Sequence, residues 1–341
     1  MDTLTSEIAS EDLSQPPKTP FAFADVPWRW SDILLGFAPL VLLRAISFFL
    51  RSEWIGGIPK WLWIPMTAAN MIWLLAFPLI IAHRRLGMTP RFSQRPGFLA
   101  VGLEALIAMC SIPVMWMMLF ACLMVVILVS GKAPSPELPL APIAGSPNPW
   151  DRIALVVLAI CTAPIAEECF FRGMLFNKFR RHMSPFFAVP LQGIIFGLVH
   201  PFGPLQIALI SVIGMALGIA YLWRKTIITS MFMHAFQNSL AMALMLLFLN
   251  LVSHSPMIGV GGEAVEQGHL IQQLATDGPA ARAGLKVGDI ITTLDSRPVS
   301  DTGSIMQFLL LHKAGDSITV DYIRAGEKAQ VEVILEKRQQ E

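Results

Sequence analysis

A chain of 341 residues that is 54% hydrophobic and only 14% charged, with a mean hydropathy of +0.59, is too apolar for an ordinary water-soluble protein. Its formal net charge of +1 offers no basic surplus to a nucleic-acid backbone, so no nucleic-acid partner is expected and membrane lipid is. Cys110, Cys122, Cys161 and Cys169 lie in apolar stretches without CxxC spacing, which reads as buried small apolar residues rather than a metal or redox motif.

Residues 1–27 are polar and acidic and lack the pattern of a signal peptide, so a short disordered tail is expected there. A bilayer core about 30 Å thick needs roughly 20 apolar residues as helix. Stretches of about that length recur about seven times, at Ser31–Leu50, Trp61–Ala82, Phe98–Val129, Ile153–Phe171, Pro185–His200, Pro204–Trp223 and Thr226–Val252. The fifth is short. Basic residues collect in alternate connections: His83, Arg84, Arg85, Arg91 and Arg95 after the second stretch, Lys178, Arg180 and Arg181 after the fourth, Arg224 and Lys225 after the sixth. Positive residues stay on the cytoplasmic side, so the expected topology is a multi-pass protein of the cell membrane with a cytoplasmic N-terminus and an extracytoplasmic C-terminal region. From about Ser255 the apolar runs shorten, and Ser317–Ile323 and Ala329–Leu335 alternate as strands do, which marks a small soluble domain.

Ionisable residues inside a bilayer cost at least about 2.5–3.5 kcal/mol each and need partners or a task. The fourth stretch carries Glu167 and Glu168 side by side, then Arg172. On a helix Glu168 and Arg172 share a face, so the arginine neutralises one carboxylate and leaves Glu167 for chemistry. The fifth stretch ends in His200, and the seventh carries His234 and Asn238, four apart on one face. A carboxylate, two imidazoles and an amide are the parts that activate water and stabilise an oxyanion in amide hydrolysis. Taken singly, each serves equally as glue between helices or as the lining of a transport path. Arg44 and Glu104, also within apolar stretches, are given no function; a buried pair is one reading of them.

The run Glu167-Glu168-Cys169-Phe170-Phe171-Arg172, then Phe196 to His200, then His234 to Asn238, resembles the CPBP family of CAAX proteases and bacteriocin-processing enzymes, over roughly Asp151 to Val252. That resemblance implies a glutamate-dependent intramembrane endopeptidase. Glu167 would be the general base, His200 would hold or polarise the water, His234 and Asn238 would stabilise the oxyanion, and Glu168 and Arg172 would support the site. No cofactor is expected, although Glu167, His200 and His234 could in principle ligate zinc. No HExxH or GxSG-type motif and no paired intramembrane aspartates point to another peptidase class.

Met257-Ile258-Gly259-Val260 followed by Gly278-Pro279-Ala280-Ala281-Arg282-Ala283-Gly284-Leu285-Lys286-Val287-Gly288-Asp289 resembles a PDZ domain of the HtrA type, over about Pro256 to Lys337. The resemblance implies that Ile258, Gly259 and Val260 bind peptide C-termini through backbone N–H groups. The expected whole is an all-α membrane domain over residues 28–252, with its peptidase core at 151–252, followed by a mostly β PDZ-like domain over 256–337 that recruits or gates protein and peptide substrates. The alternative is a non-enzymatic peptide-binding membrane scaffold or bacteriocin-immunity-like protein.

Overall fold

The computed structural model describes residues 23–51, 60–87, 97–130, 148–200 and 203–337. The tail up to residue 22, Arg91 and Arg95, and the side chain of Arg44 lie outside the described residues. The described chain forms helices α1 (Trp30–Arg51), α2 (Lys60–Leu86), α3 (Phe98–Ser130), α4 (Pro149–Arg180), α5 (Pro185–Leu198), α6 (Pro204–Arg224) and α7 (Ile227–His254), and then a β-rich region. Contacts divide it into two compact units, one running to Met242 and one from Ala243 onward.

Five helices, α2, α3, α4, α6 and α7, are long and apolar enough to cross a membrane. That count is of the described residues, and the expected number of about seven is not confirmed by it. The apolar part of α1 is described only over Trp30–Leu42, and α5 spans Pro185–Leu198, about 21 Å of helix against a core of about 30 Å. The chain cannot continue α5 further, because Gly203 is extended and Pro204 starts α6. In α3 only 6% of the apolar window is buried, as expected of a helix whose surroundings are acyl chains. The cysteines are correspondingly divided: Cys169 is buried, whereas Cys110 and Cys161 are exposed on the helix surfaces, against the expectation that all four are buried.

Residues 23–27 do not belong to a disordered tail, against the expectation for that stretch. Phe23–Asp25 form a 3₁₀ turn, and Phe23, Val26 and Trp28 are buried. Gly173 of α4 makes the room, since a Cβ there would lie 2.7 Å from the Phe23 ring. Arg181 donates to Ala24 O at 2.9 Å, Arg85 donates to Pro27 O and pairs with Asp32 at 2.7 Å, and Lys178 lies over the Trp30 ring at 5.0 Å. The basic ends of α2 and α4 therefore meet the start of α1 at one end of the bundle. Glu104 near the start of α3 pairs with Arg224 at the end of α6 at 2.8 Å and accepts from Thr229 near the start of α7. Glu104 thus has partners in Arg224 and Thr229.

Helices α5 and α6 pack closely because glycine faces glycine. A Cβ on Gly197 would lie 2.5 Å from Ile207 O, and one on Gly193 would lie 2.8 Å from Ser211 O. Both obstacles are backbone, so the helices would have to separate. Gly197→Ala is expected to destabilise the helical unit by about 1–3 kcal/mol through overpacking, read as a lower melting temperature in detergent.

The second unit contains β1 (Pro256–Met257), β2 (Val260–Val265), β3 (Gly268–Leu274), α8 (Pro279–Arg282), β4 (Ile290–Leu294), β5 (Arg297–Pro298), α9 (Thr302–Leu309), β6 (Ser317–Arg324), β7 (Glu327–Ile334) and β8 (Glu336–Lys337). The main sheet is antiparallel in the order β2-β3-β4-β6-β7, with β5 on β4, while β1 pairs with β8. Alternation along β6 sends Ile318, Val320 and Tyr322 into a core shared with Ile271, Ile291, Leu294 and Phe308. Asp301 caps α9 by accepting from Ser304 N at 2.8 Å. The turns at Gly284 and Gly288 take φ of +91° and +97°, which a side chain would strain.

Candidate active site

Helix α4 is not uniform. Its α-helical turns alternate with two π-helical segments, Val157–Thr162 and Cys169–Phe176, and the six-residue α segment Ala163–Glu168 between them ends in the glutamate pair. Such wider turns recur at functional sites because they redirect side chains and expose carbonyls to other partners. Those carbonyls are taken up here by side chains. Asn238 Nδ2 donates to Ala159 O at 2.8 Å, and Asn177 Nδ2 donates to Arg172 O and Gly173 O at 3.0 and 2.9 Å.

Glu168 and Arg172 are both 0% exposed and joined at 2.8 Å between Oε1 and Nη1. Arg172 Nη2 donates to Gly214 O on α6 at 2.8 Å, so the guanidinium ties α4 to α6. His234 on α7 lies with Nδ1 3.2 Å from the same Glu168 Oε1 and Nε2 3.9 Å from Glu167 Oε2. A carboxylate only accepts, so the first contact makes Nδ1 the protonated nitrogen and turns Nε2 toward Glu167. Glu167 is 8% exposed, and its Oε2 has no hydrogen-bond partner among the described residues. A gap of 3.9 Å is too long for a direct hydrogen bond.

His200 follows α5, with Nδ1 2.7 Å from Phe196 O. A carbonyl cannot donate, so Nδ1 carries the proton and Nε2 faces outward from that bond. The Phe196 ring joins these parts. His200 and His234 meet its edge at centroid distances of 5.0 and 5.8 Å, and the Arg172 guanidinium lies 4.8 Å from its centroid. The structure thus gathers Glu167, Glu168, Arg172 and His234 directly, and brings His200 alongside through Phe196. Asn238 is engaged with Ala159. Among the described residues no group of three or more His, Cys, Asp or Glu is arranged to hold a metal ion, and Glu167, His200 and His234 are not gathered as a zinc triad.

In the second unit a cavity of about 170 Å³ lies beside Ile258, Gly259, Val260 and His269, with Ile305 and Leu309 of α9 opposite. Gly259 has φ of +82°, which lets the chain turn sharply into β2, the edge strand of the sheet.

Residues 149–240 match the family model described as type II CAAX prenyl endopeptidase Rce1-like, and residues 256–335 match the PDZ domain. The chain carries an Rce1-like CAAX protease family domain and a PDZ domain with HtrA-like homologues. A serine protease Do-like HtrA of Lactobacillus helveticus is 38% identical over 72 residues, 21% of this chain and 17% of that protein. A probable periplasmic serine endoprotease DegP-like of Pseudomonas fluorescens is 36% identical over 68 residues, 20% of this chain and 14% of that protein. The match therefore spans only a small part of these curated relatives. Among solved structures, the HtrA-type protease AlgW with a decapeptide is 25% identical over 30% of this chain and 36% of that one, at a TM-score of 0.26. The HtrA3 PDZ domain bound to a phage-derived ligand is 21% identical over 24% of this chain and 85% of that one, at a TM-score of 0.22.

Two residues of the Rce1-like domain and one of the PDZ domain escaped the sequence reading. Phe196 was visible only as the first residue of a motif. Gln192, 0% exposed on α5, donates to Gly214 O at 2.7 Å beside Arg172, and a lone glutamine in an apolar run gives no sign of that role. His269 of β3 is 0% exposed with both ring nitrogens unpartnered among the described residues; burial holds its pKa below the ordinary 6.5, with Asp301 pulling the other way.

Proposed function

We propose that this protein is an intramembrane endopeptidase that hydrolyses peptide bonds of membrane-associated proteins or peptides with water activated by Glu167. The observation that carries the reading is the unpartnered Glu167 Oε2 facing His234 Nε2 at 3.9 Å, beside a carboxylate that Arg172 already neutralises. Glu167 takes a proton from the bound water as the hydroxide attacks the peptide carbonyl carbon. The same proton then passes to the leaving amine as the C–N bond breaks. His234 stabilises the oxyanion from Nε2. Its Nδ1 contact with Glu168 orients the ring for that role. The second amide hydrogen of Asn238 assists, while the first holds α7 against the π-helical segment. His200, oriented by its Phe196 contact, polarises the water from its Nε2. Little water reaches these buried groups, so each interaction with developing charge counts for more than in solution.

The domain limits fit this division of labour: a membrane domain over residues 28–252, with its peptidase core at 151–252, and a peptide-binding domain over 256–337. The PDZ domain recruits or gates substrate. Ile258, Gly259 and Val260 receive a peptide C-terminus and the edge strand β2 receives the peptide as an added strand. Tethering a bound peptide to the protease raises its effective concentration to the millimolar range. The test is reconstitution of the purified protein in lipid vesicles with a membrane-inserted fluorogenic peptide. Cleavage by the wild type supports the reading; none across a varied peptide set, from protein that melts cooperatively, counts against it.

The chain crosses the membrane several times, with its N-terminus in the cytoplasm. Arg85, Lys178, Arg181 and Arg224 lie at helix ends that meet the starts of α1, α3 and α7, which favours one cytoplasmic face for all of them. Helix α7 then leaves that face with 28 residues, about 42 Å, and delivers the PDZ domain to the outside whether or not α5 crosses. A Ser300→Cys variant lacking the native cysteines is expected to react with an impermeant maleimide on intact cells. Labelling seen only after lysis would reverse the topology.

A further inference from the structure

We infer that Gln237 is a substrate-binding residue of the Rce1-like domain, whose side-chain NH₂ group donates to a backbone carbonyl of the peptide beside the bond to be cut. The inference rests on the endopeptidase reading and adds a contact with the peptide backbone.

Gln237 follows His234 by one turn on α7, so their Cβ atoms lie about 5–6 Å apart. Farther around the helix, Met233 and Phe236 pack into a core shared with Ala108 and Met115 of α3 and Leu217 of α6. Gln237 stands between that packed face and the one that carries His234. Trp116 of α3 reaches it, with Nε1 2.9 Å from Oε1. An indole N–H only donates, so the atom it meets is the amide oxygen, and this settles which way the carboxamide is turned. Its Nε2 is therefore directed away from Trp116. Gln237 is buried, yet Nε2 has no hydrogen-bond partner among the described residues and retains accessible surface.

An unmet donor is costly in that place. Gln237 lies about 15 Å along α7 from Ile227, near the middle of a bilayer core about 30 Å thick, where bulk water does not satisfy an N–H. As a tie between helices the residue needs only its carbonyl, and an apolar side chain would pack beside Met233 and Phe236 without leaving N–H groups unmet. The free amide nitrogen instead suits an acceptor that arrives with the substrate. A charged acceptor would have to shed its water to reach a buried amide, whereas a peptide carbonyl carries no charge. The site itself makes such carbonyls available. A membrane helix must unwind around the scissile bond before water can attack, and each carbonyl so released needs a donor. A contact with the backbone also holds peptides of different sequence in one register.

The test uses the full chain in detergent and fluorogenic peptides in which one amide at a time, on either side of the scissile bond, is replaced by an (E)-alkene, which keeps the shape and lacks the carbonyl oxygen. The matched ester, which loses the N–H and keeps a carbonyl, is the control. With the wild type, the alkene at one position is expected to raise KM about 3–10-fold with kcat little changed, the range of one net hydrogen bond. Gln237→Met is expected to raise KM for the unmodified peptide by a similar factor and to show no further penalty at that position. Trp116→Phe loses the same bond between helices but keeps the carboxamide, so it is expected to retain the penalty. Disappearance of the penalty in Trp116→Phe as well would reduce Gln237 to a tie between helices and overturn the inference. The wild type alone decides the matter if a variant fails to fold: equal KM across the alkene series would overturn the inference and leave the endopeptidase reading intact. Failure to cleave any unmodified peptide would overturn both.

Discussion

Glu167→Gln is expected to lower kcat by about 10²–10⁴-fold with KM little changed, the loss that removal of a general base produces. Glutamine has the same shape, and Glu167 Oε2 makes no hydrogen bond among the described residues, so the substitution removes the proton acceptor without breaking a contact there. Melting in detergent should therefore stay close to the wild type. Hydrolysis of a membrane-inserted fluorogenic peptide, followed beside the melting curve, separates the chemical role from a structural one. A matched fall in both would assign Glu167 to packing.

Arg172→Met is expected to have the largest effect on folding. It leaves Glu168 0% exposed with its charge uncompensated by the partner at 2.8 Å, and breaking one side of such a buried pair costs about 3–5 kcal/mol. The same change frees the Gly214 carbonyl and removes the cation beside the Phe196 ring, so α4, α5 and α6 all lose a tie. Pairing it with Glu168→Met should restore most of the stability, since an apolar pair of similar volume avoids the desolvation of two charges. Activity should not return, because His234 Nδ1 has then lost the acceptor that orients it. Thermal melting and peptide hydrolysis of the single and double variants check both halves. Equal stability of Arg172→Met and wild type would mean that Glu168 is neutral or solvated in the protein.

Much of this arrangement is legible in the sequence because its signals are local. Apolar runs mark the helices, and the spacing of Glu168 and Arg172 specifies an i,i+4 pair, found at 2.8 Å. The turn chemistry around Gly284 and Gly288 marks the C-terminal domain. What escaped depends on tertiary packing. An apolar count sees Pro185–His200 as a nearly adequate span, but α5 ends at Leu198 and His200 lies beside Phe196. The first π-helical segment stands just before Pro164, which cannot donate to Ile160 O, while the second carries no sequence mark of its own. Asn177 and Asn238 donate to carbonyls within them, partners that lie outside the local pattern of apolar residues. Phe23 looked like part of a polar tail because its receptor, the bare face of Gly173, lies far along the chain. His269 is one polar residue in an alternating strand, and only the fold reveals that it faces inward.

The central claim is tested most directly by comparing peptide N-termini in membranes of cells that carry the wild type with those that carry Glu167→Gln, at matched expression. The account predicts a set of new termini present only with the wild type, which would also name the substrates. Identical profiles, with both proteins folded and present in the membrane, would contradict it.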